Sequence, residues 1–199
     1  MFEALNRNLF LLMNAPSHPG GLMLAFSTAF AQDVIFIVPV YLLFGWLLST
    51  QDETKKIMFS AVLSGLLALL FAQVIGYIWP HPRPFMVGLG TSFLAHVADS
   101  SFPSDHVTLM AAVAFSLISS SLTRTFGVAL MLIGVVVAWS RIYLGVHFPF
   151  DMAGAFLVGL GSAWLVGRMP KVIFDPAYAH LVKLYRKLFS GLIRGGWIY

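Results

Sequence analysis

Five apolar runs separated by short polar clusters divide most of the chain, and each is read as a helix crossing a bilayer. The first candidate span is Leu22 to Leu48, interrupted by Gln32 and Asp33. Asp33 is expected near the headgroups, with the span proper starting at Val34 and Pro39 as a candidate kink. Ile57 to Trp79 is the second, with Gln73 its only strongly polar member. Val107 to Leu122, Phe126 to Trp139 and Met152 to Gly167 follow. These three are short for a core of about 30 Å at about 1.5 Å per residue, so their flanking turns must complete the crossing. The polar clusters beside them are thereby expected at the membrane interface.

Before the first span, Phe2, Leu5, Leu9 and Leu12 recur at helical spacing. They predict a short interfacial helix, ended by Pro16 and the Gly20-Gly21 pair. Glu3 precedes any hydrophobic run and no basic n-region is present, so this segment does not read as a cleaved signal peptide. Between the second and third spans, the three prolines of the run PHPRPF at 80–85 stop the helix, and a stretch bearing Gly and Ser continues to Ser104. Beyond Arg168 the chain turns basic, and Ala177 to Ile193 alternates apolar and cationic groups at helical spacing. Such a helix can lie on an anionic leaflet or pack on the bundle.

Composition agrees. The 199 residues are 59% hydrophobic and 10% charged, with a mean hydropathy of +0.86, far from the soluble average. The expected architecture is an all-α integral membrane protein. It would be a bundle of about five transmembrane helices with an N-terminal interfacial helix and a C-terminal amphipathic helix. No linker or repeat divides it, so residues 1–199 are expected to form one domain, with polar motifs at 83–151 and a basic tail at 168–199. There is no cysteine, which excludes disulfides and thiolate chemistry. With five spans, nine of the 12 Lys and Arg fall on one side, and Arg7, Arg83 and Arg141 fall on the other. The positive-inside rule puts the nine in the cytoplasm and the loops at 84–106 and 141–151 outside.

Those two outward loops carry the chemistry. Ser140, Arg141, His147 and Asp151 lie within twelve residues of a chain poor in charge, where ionisable groups are expensive and therefore suspect as functional. His147 and Asp151 are four apart, so on a helix they share a face and the carboxylate can fix the imidazole tautomer. Pro149 suits a first helical turn, which puts His147 just before a helix N-terminus. Arg141 and Arg83 suit phosphate, which a planar guanidinium grips bidentately. In the run Pro103-Ser104-Asp105-His106, Ser104 looks like an N-cap of the third span, and His106 can donate a proton to a leaving oxygen. A metal site from His96, His106, His147 and Asp151 is disfavoured by the two arginines, which would repel a divalent cation. A serine hydrolase built on Ser104, His147 and Asp151 lacks a nucleophile elbow and has no need of paired guanidinium groups.

Arg83-Pro84, then Pro103-Ser104-x-His106, then Ser140-Arg141-x5-His147-x3-Asp151, together resemble the three ordered signature motifs of the type 2 phosphatidic acid phosphatase superfamily. The resemblance covers roughly residues 76 to 151. It implies a helical bundle that works without metal or other cofactor through a phosphohistidine. His147 would be the nucleophile, oriented by Asp151. His106 would protonate the leaving group. Arg83, Ser104 and Arg141 would hold the phosphoryl oxygens, with Pro103, Asp105 and Ser140 as neighbouring members of the binding motifs. Two departures stand out: Gly76 occupies the position of a usual Lys, and Asp105 that of a usual Gly. The Asp105 variant and the short chain are similar to bacitracin-resistance type undecaprenyl pyrophosphate phosphatases of the bacterial inner membrane. The substrate expected from that likeness is undecaprenyl diphosphate, drawn from the surrounding lipid at the outer leaflet, with neither nucleic acid nor an obligatory protein partner. Another lipid phosphate, phosphoryl transfer to a lipid, or non-catalytic binding of polyprenyl phosphates are the alternatives. Gln73 is a candidate to replace the missing Lys, and Asp105 can hydrogen-bond a diphosphate or orient His106.

Overall fold

The computed structural model describes residues 1–199, and its regular structure is all helical, with nine α-helices. They are α1 (Phe2–Met13), α2 (Gly21–Gln32), α3 (Ile37–Leu48), α4 (Asp52–Ile78), α5 (Asp105–Ile118), α6 (Arg124–Tyr143), α7 (Pro149–Gly167), α8 (Lys171–Leu188) and α9 (Ser190–Arg194). Four segments are long and apolar enough to cross a membrane: Gly21–Leu48, α4, α6 and α7.

The fifth expected span, α5, is shorter than the sequence suggested, ending at Ile118 rather than Leu122. Its 14 residues rise about 21 Å, too little to cross a bilayer unaided. It does not need to, because α4, α6 and α7 enclose it. Val107, Met110, Ala112, Val113, Ala114 and Leu117 are all fully buried. Small residues bring the neighbouring backbones close: a Cβ on Gly159 of α7 would come within 2.7 Å of both the Ala111 Cβ and the Ala112 nitrogen. The early stop is sealed by side chains, since the Thr123 hydroxyl donates to the Leu117 carbonyl at 2.7 Å and the Ser119 hydroxyl to the Ser116 carbonyl at 2.6 Å.

The first candidate span also departs from expectation. Rather than kinking at Pro39, the chain breaks at Asp33 into a 3-10 turn over Val34–Phe36. Pro39 falls in the first turn of α3, where its missing N–H would have had no helical partner. The break frees carbonyls at the end of α2, and one of them, that of Ala31, accepts from Arg141 Nη1 at 2.8 Å.

The predicted N-terminal helix forms, but it is bolted to the bundle rather than merely resting at an interface. Phe10 is fully buried and stands edge-on to Phe148, with ring centroids 5.3 Å apart. Asn6 Oδ1 accepts from the Phe150 N–H at 3.0 Å, satisfying an orphan donor at the start of α7. Asn14 accepts from the Thr91 N–H at 2.7 Å and donates to the carbonyls of Thr91 and Tyr143 at 2.9 and 3.0 Å. At the opposite end of the bundle, α8 is tied down by Tyr178, whose hydroxyl donates to Asp52 Oδ1 at 2.6 Å. Tyr178 and Tyr185 both pack edge-on against Trp46. The basic tail therefore packs on the bundle, and Leu181, Leu184 and Leu188 face α3 and α4 across an apolar cavity of about 680 Å³.

Candidate active site

The ends of α4 and α6 and the starts of α5 and α7 meet at one end of the bundle. A long connection, residues 79–104, folds over them with one 3-10 turn at Pro84–Val87. Loops of this length without regular structure are generally functional.

His147 is fixed between two helix ends. α6 closes with the Val146 N–H bonded to the Arg141 carbonyl at 3.2 Å and the Gly145 N–H to the Ile142 carbonyl at 3.0 Å, a Schellman pattern. It needs Gly145, whose φ is +81° and whose Cβ, if present, would run into the Thr91 carbonyl. Two residues past His147, Pro149 opens α7 at the position expected for it. His147 is buried, at 1% exposure.

The arginines determine its tautomer. His147 Nε2 lies 3.0 Å from Arg83 Nη1 and 3.3 Å from Arg141 Nη2. A guanidinium can only donate, so Nε2 accepts and the ring proton resides on Nδ1. Nδ1 in turn donates to the Ser101 carbonyl at 2.9 Å. Burial, and then the charges of Arg141 and Arg83, hold the His147 pKa well below the ordinary histidine value.

The expected (i, i+4) contact from His147 to Asp151 is present, and it shares Nδ1 with the Ser101 carbonyl. Asp151 Oδ2 is 3.3 Å from Nδ1, a longer contact than the one to the Ser101 carbonyl. Its closer partners are the Phe148 N–H, at 2.7 Å, and the Ser101 hydroxyl. Ser101 thus couples the carboxylate to the imidazole, with its carbonyl on the ring and its hydroxyl on Asp151.

Both guanidinium groups are nearly inaccessible, at 4% and 2% exposure for Arg83 and Arg141. Arg83 Nε and Nη2 are each 2.8 Å from Asp99 Oδ1, and its remaining donors reach the carbonyls of Val146 and Ser100 at 3.0 and 3.1 Å. Arg141 Nη2 also reaches His96 Nε2 at 3.2 Å, while its Nε is buried with no partner. Burial and the Arg83 charge lower the His96 pKa, so this ring is neutral and accepts from Arg141. Two buried cations converging on one nitrogen repel each other, and the arrangement favours an anion between them.

The other sequence candidates take distinct places. Ser104 does occupy the N-cap position of α5, but its side chain bonds no backbone amide, and its buried hydroxyl is unpartnered. Pro103 is buried behind a cis peptide bond. Ser140 is fully buried on α6, also with an unpartnered hydroxyl. His106 is partly exposed in the first turn of α5 and carries no hydrogen bond. Asp105 is exposed and accepts from Gln73 Nε2 at 3.1 Å on both carboxylate oxygens. A Cβ on Gly76, one turn beyond Gln73, would lie 3.3 Å from the Ser100 Cβ, so the connecting loop occupies the space a longer side chain there would need. No three His, Asp or Glu side chains gather as metal ligands.

Ser101 and Asp99 had no sequence signal, since the stretch that holds them has no periodicity and their contacts span up to 50 residues. The model of the PAP2 superfamily matches residues 57–174, which include every one of these side chains. The chain is 34% identical over 198 residues to the putative undecaprenyl-diphosphatase YbjG of Escherichia coli, covering 100% of this chain and 99% of that one. It is 26% identical over 190 residues to the undecaprenyl-diphosphatase BcrC of Bacillus subtilis, with 96% of each covered. Among solved structures, Aquifex aeolicus LpxE superposes with a TM-score of 0.66 at 23% identity, covering 83% of this chain and 96% of that one, a likeness of fold. With more than half its length matched, and its helices arranged as in a solved relative, the chain belongs to the PAP2 superfamily.

Proposed function

We propose that this protein is a phosphatase that removes the terminal phosphate of undecaprenyl diphosphate at the extracytoplasmic face of a bacterial inner membrane, with residues 1–199 acting as one membrane-embedded unit. The observation that carries this reading is the convergence of Arg83 and Arg141 on the unprotonated Nε2 of His147, at 3.0 and 3.3 Å. The YbjG and BcrC likenesses supply the substrate.

In the first step the Nε2 lone pair attacks the terminal phosphorus in line. The bond to the bridging oxygen breaks, and His106 protonates that oxygen as undecaprenyl phosphate leaves. In the second, water attacks the phosphohistidine, His106 takes its proton, and inorganic phosphate is released with His147 restored. Phosphoryl transfer depends chiefly on positioning and charge stabilisation, and the two guanidinium groups provide both without a metal. Ser104, whose buried hydroxyl has no protein partner, is available to a phosphoryl oxygen.

The test is phosphate release by the purified protein in detergent with EDTA present, on undecaprenyl diphosphate, phosphatidylglycerophosphate and phosphatidic acid. Release from the diphosphate that survives EDTA and disappears in His147→Ala is expected. A preference for a glycerolipid would replace the substrate, and release abolished by EDTA would overturn the mechanism.

A further inference from the structure

Gln73 and Asp105 form a polar pair for which neither the fold nor the cluster around His147 accounts. Gln73 lies on α4 about 7.5 Å below its outer end, on an exposed surface shared with Phe71, Val74, Tyr77 and Ile78. Its side chain crosses to α5 and spans both oxygens of Asp105, and both residues are exposed. A carboxylate and an amide on the lipid-facing side of a helical bundle are costly and call for a function.

Its position suggests which part of a substrate it meets. In-line attack by His147 Nε2 puts the leaving oxygen on the far side of the phosphorus. His106, which would protonate that oxygen, is the residue after Asp105 in the first turn of α5. Whatever follows the leaving oxygen therefore emerges past His106 toward the exposed side of α4 and α5. In a phosphomonoester that group is a carbon. In a diphosphate it is a second phosphate, which must be bound by something other than Arg83 and Arg141, since both are directed at His147.

We propose that Gln73 and Asp105 form the subsite for the lipid-side phosphate of a diphosphate substrate, so that they select diphosphates over phosphomonoesters. This rests on the function proposed above. The Gln73 amide donates to one phosphate oxygen, and the Asp105 carboxyl group and a second phosphate oxygen share one proton. The close approach of Ser100 to Gly76 leaves no room there for a longer polar side chain from α4.

The experiment compares kcat/KM for undecaprenyl diphosphate with that for phosphatidic acid in detergent micelles, for the wild type and for Gln73→Ala, Asp105→Ala and Asp105→Asn. The ratio of the two is expected to fall about tenfold or more in both alanine variants, the worth of a hydrogen bond to a charged group. Asp105→Asn, which keeps a donor, is expected to retain most of it. A cooperative thermal unfolding transition at the wild-type temperature shows that each variant is folded. An unchanged ratio, or loss of both activities in proportion, overturns the subsite. Failure of the wild type to release phosphate from the diphosphate overturns the functional reading beneath it.

Discussion

Protonating His147 at Nε2 would add a third positive charge among two buried guanidinium groups, so the ring stays neutral where an ordinary histidine would titrate. Two consequences have opposite senses. Catalysis that needs the free Nε2 lone pair should persist as pH falls through 6.5, with the acid limb of kcat/KM attributable to His147 displaced below that value. The contribution of His147 to folding stability should decline over the same window, read as the difference between the wild type and His147→Ala. Below 6.5 the unfolded chain binds a proton that the folded chain refuses, so this contribution is complete above 6.5 and shrinks as pH drops toward the depressed folded value. Activity and thermal unfolding measured on the same samples between pH 7.5 and 5 would check both; a kcat/KM that halves at 6.5 would contradict the geometry. The groups responsible were legible as residue types, because Arg83, His147, Arg141 and Asp151 are rare in so apolar a chain. What spacing left out was Ser101. The (i, i+4) relation of His147 and Asp151 holds, yet the Ser101 backbone, 46 residues away, takes the nearer place on the ring.

At the scale of elements, α1 is the least obvious participant. Asn6 within this amphipathic helix and Asn14 just past its end gave no sequence signal, since a polar residue there is the expected solvent-facing kind. Asn14 nevertheless joins the Thr91 backbone to the end of α6, and Asn6 joins α1 to the start of α7, so α1 holds both sides of the turn that carries His147. Asn14→Ala removes three hydrogen bonds from a partly buried position and is expected to destabilise the protein by about 1–3 kcal/mol. A drop in melting temperature with a parallel fall in kcat would confirm it, whereas an unchanged kcat would show that the turn holds without α1. The helices are otherwise well anticipated from apolar runs, and the early end of α5 has a physical cause. Run length reports contact with lipid, but α5 is enclosed by protein, so its length follows the packing of Ala111 and Gly159 rather than the thickness of a bilayer.

For the molecule as a whole, the bundle separates its charges by end. The His147 cluster occupies the end formed by the C-termini of α4 and α6, while Lys55, Lys56, Arg168 and the cations of α8 occupy the other. This separation matches the nine-to-three division read from the sequence. The absence of cysteine makes the orientation directly measurable. A membrane-impermeant maleimide is expected to label Val97→Cys, which is 73% exposed next to His96 in the loop over the His147 cluster, in cells whose inner membrane is intact. It should reach Ser190→Cys only after that membrane is permeabilised. The reverse pattern would invert the topology.

The guanidinium groups of Arg83 and Arg141 are already engaged by Asp99 and by the carbonyls of Val146, Ser100 and Ala31. A phosphate entering between them therefore exchanges most of these partners, and finds only the Nε of Arg141 unpaired. Free inorganic phosphate, with no lipid chain to add to its hold, must compete with these internal acceptors for the same donors. The same exchange runs backward when the reaction ends: as Asp99 and the carbonyls reclaim their donors, they help expel the product, so a site built from two buried cations need not become trapped by the anion it makes.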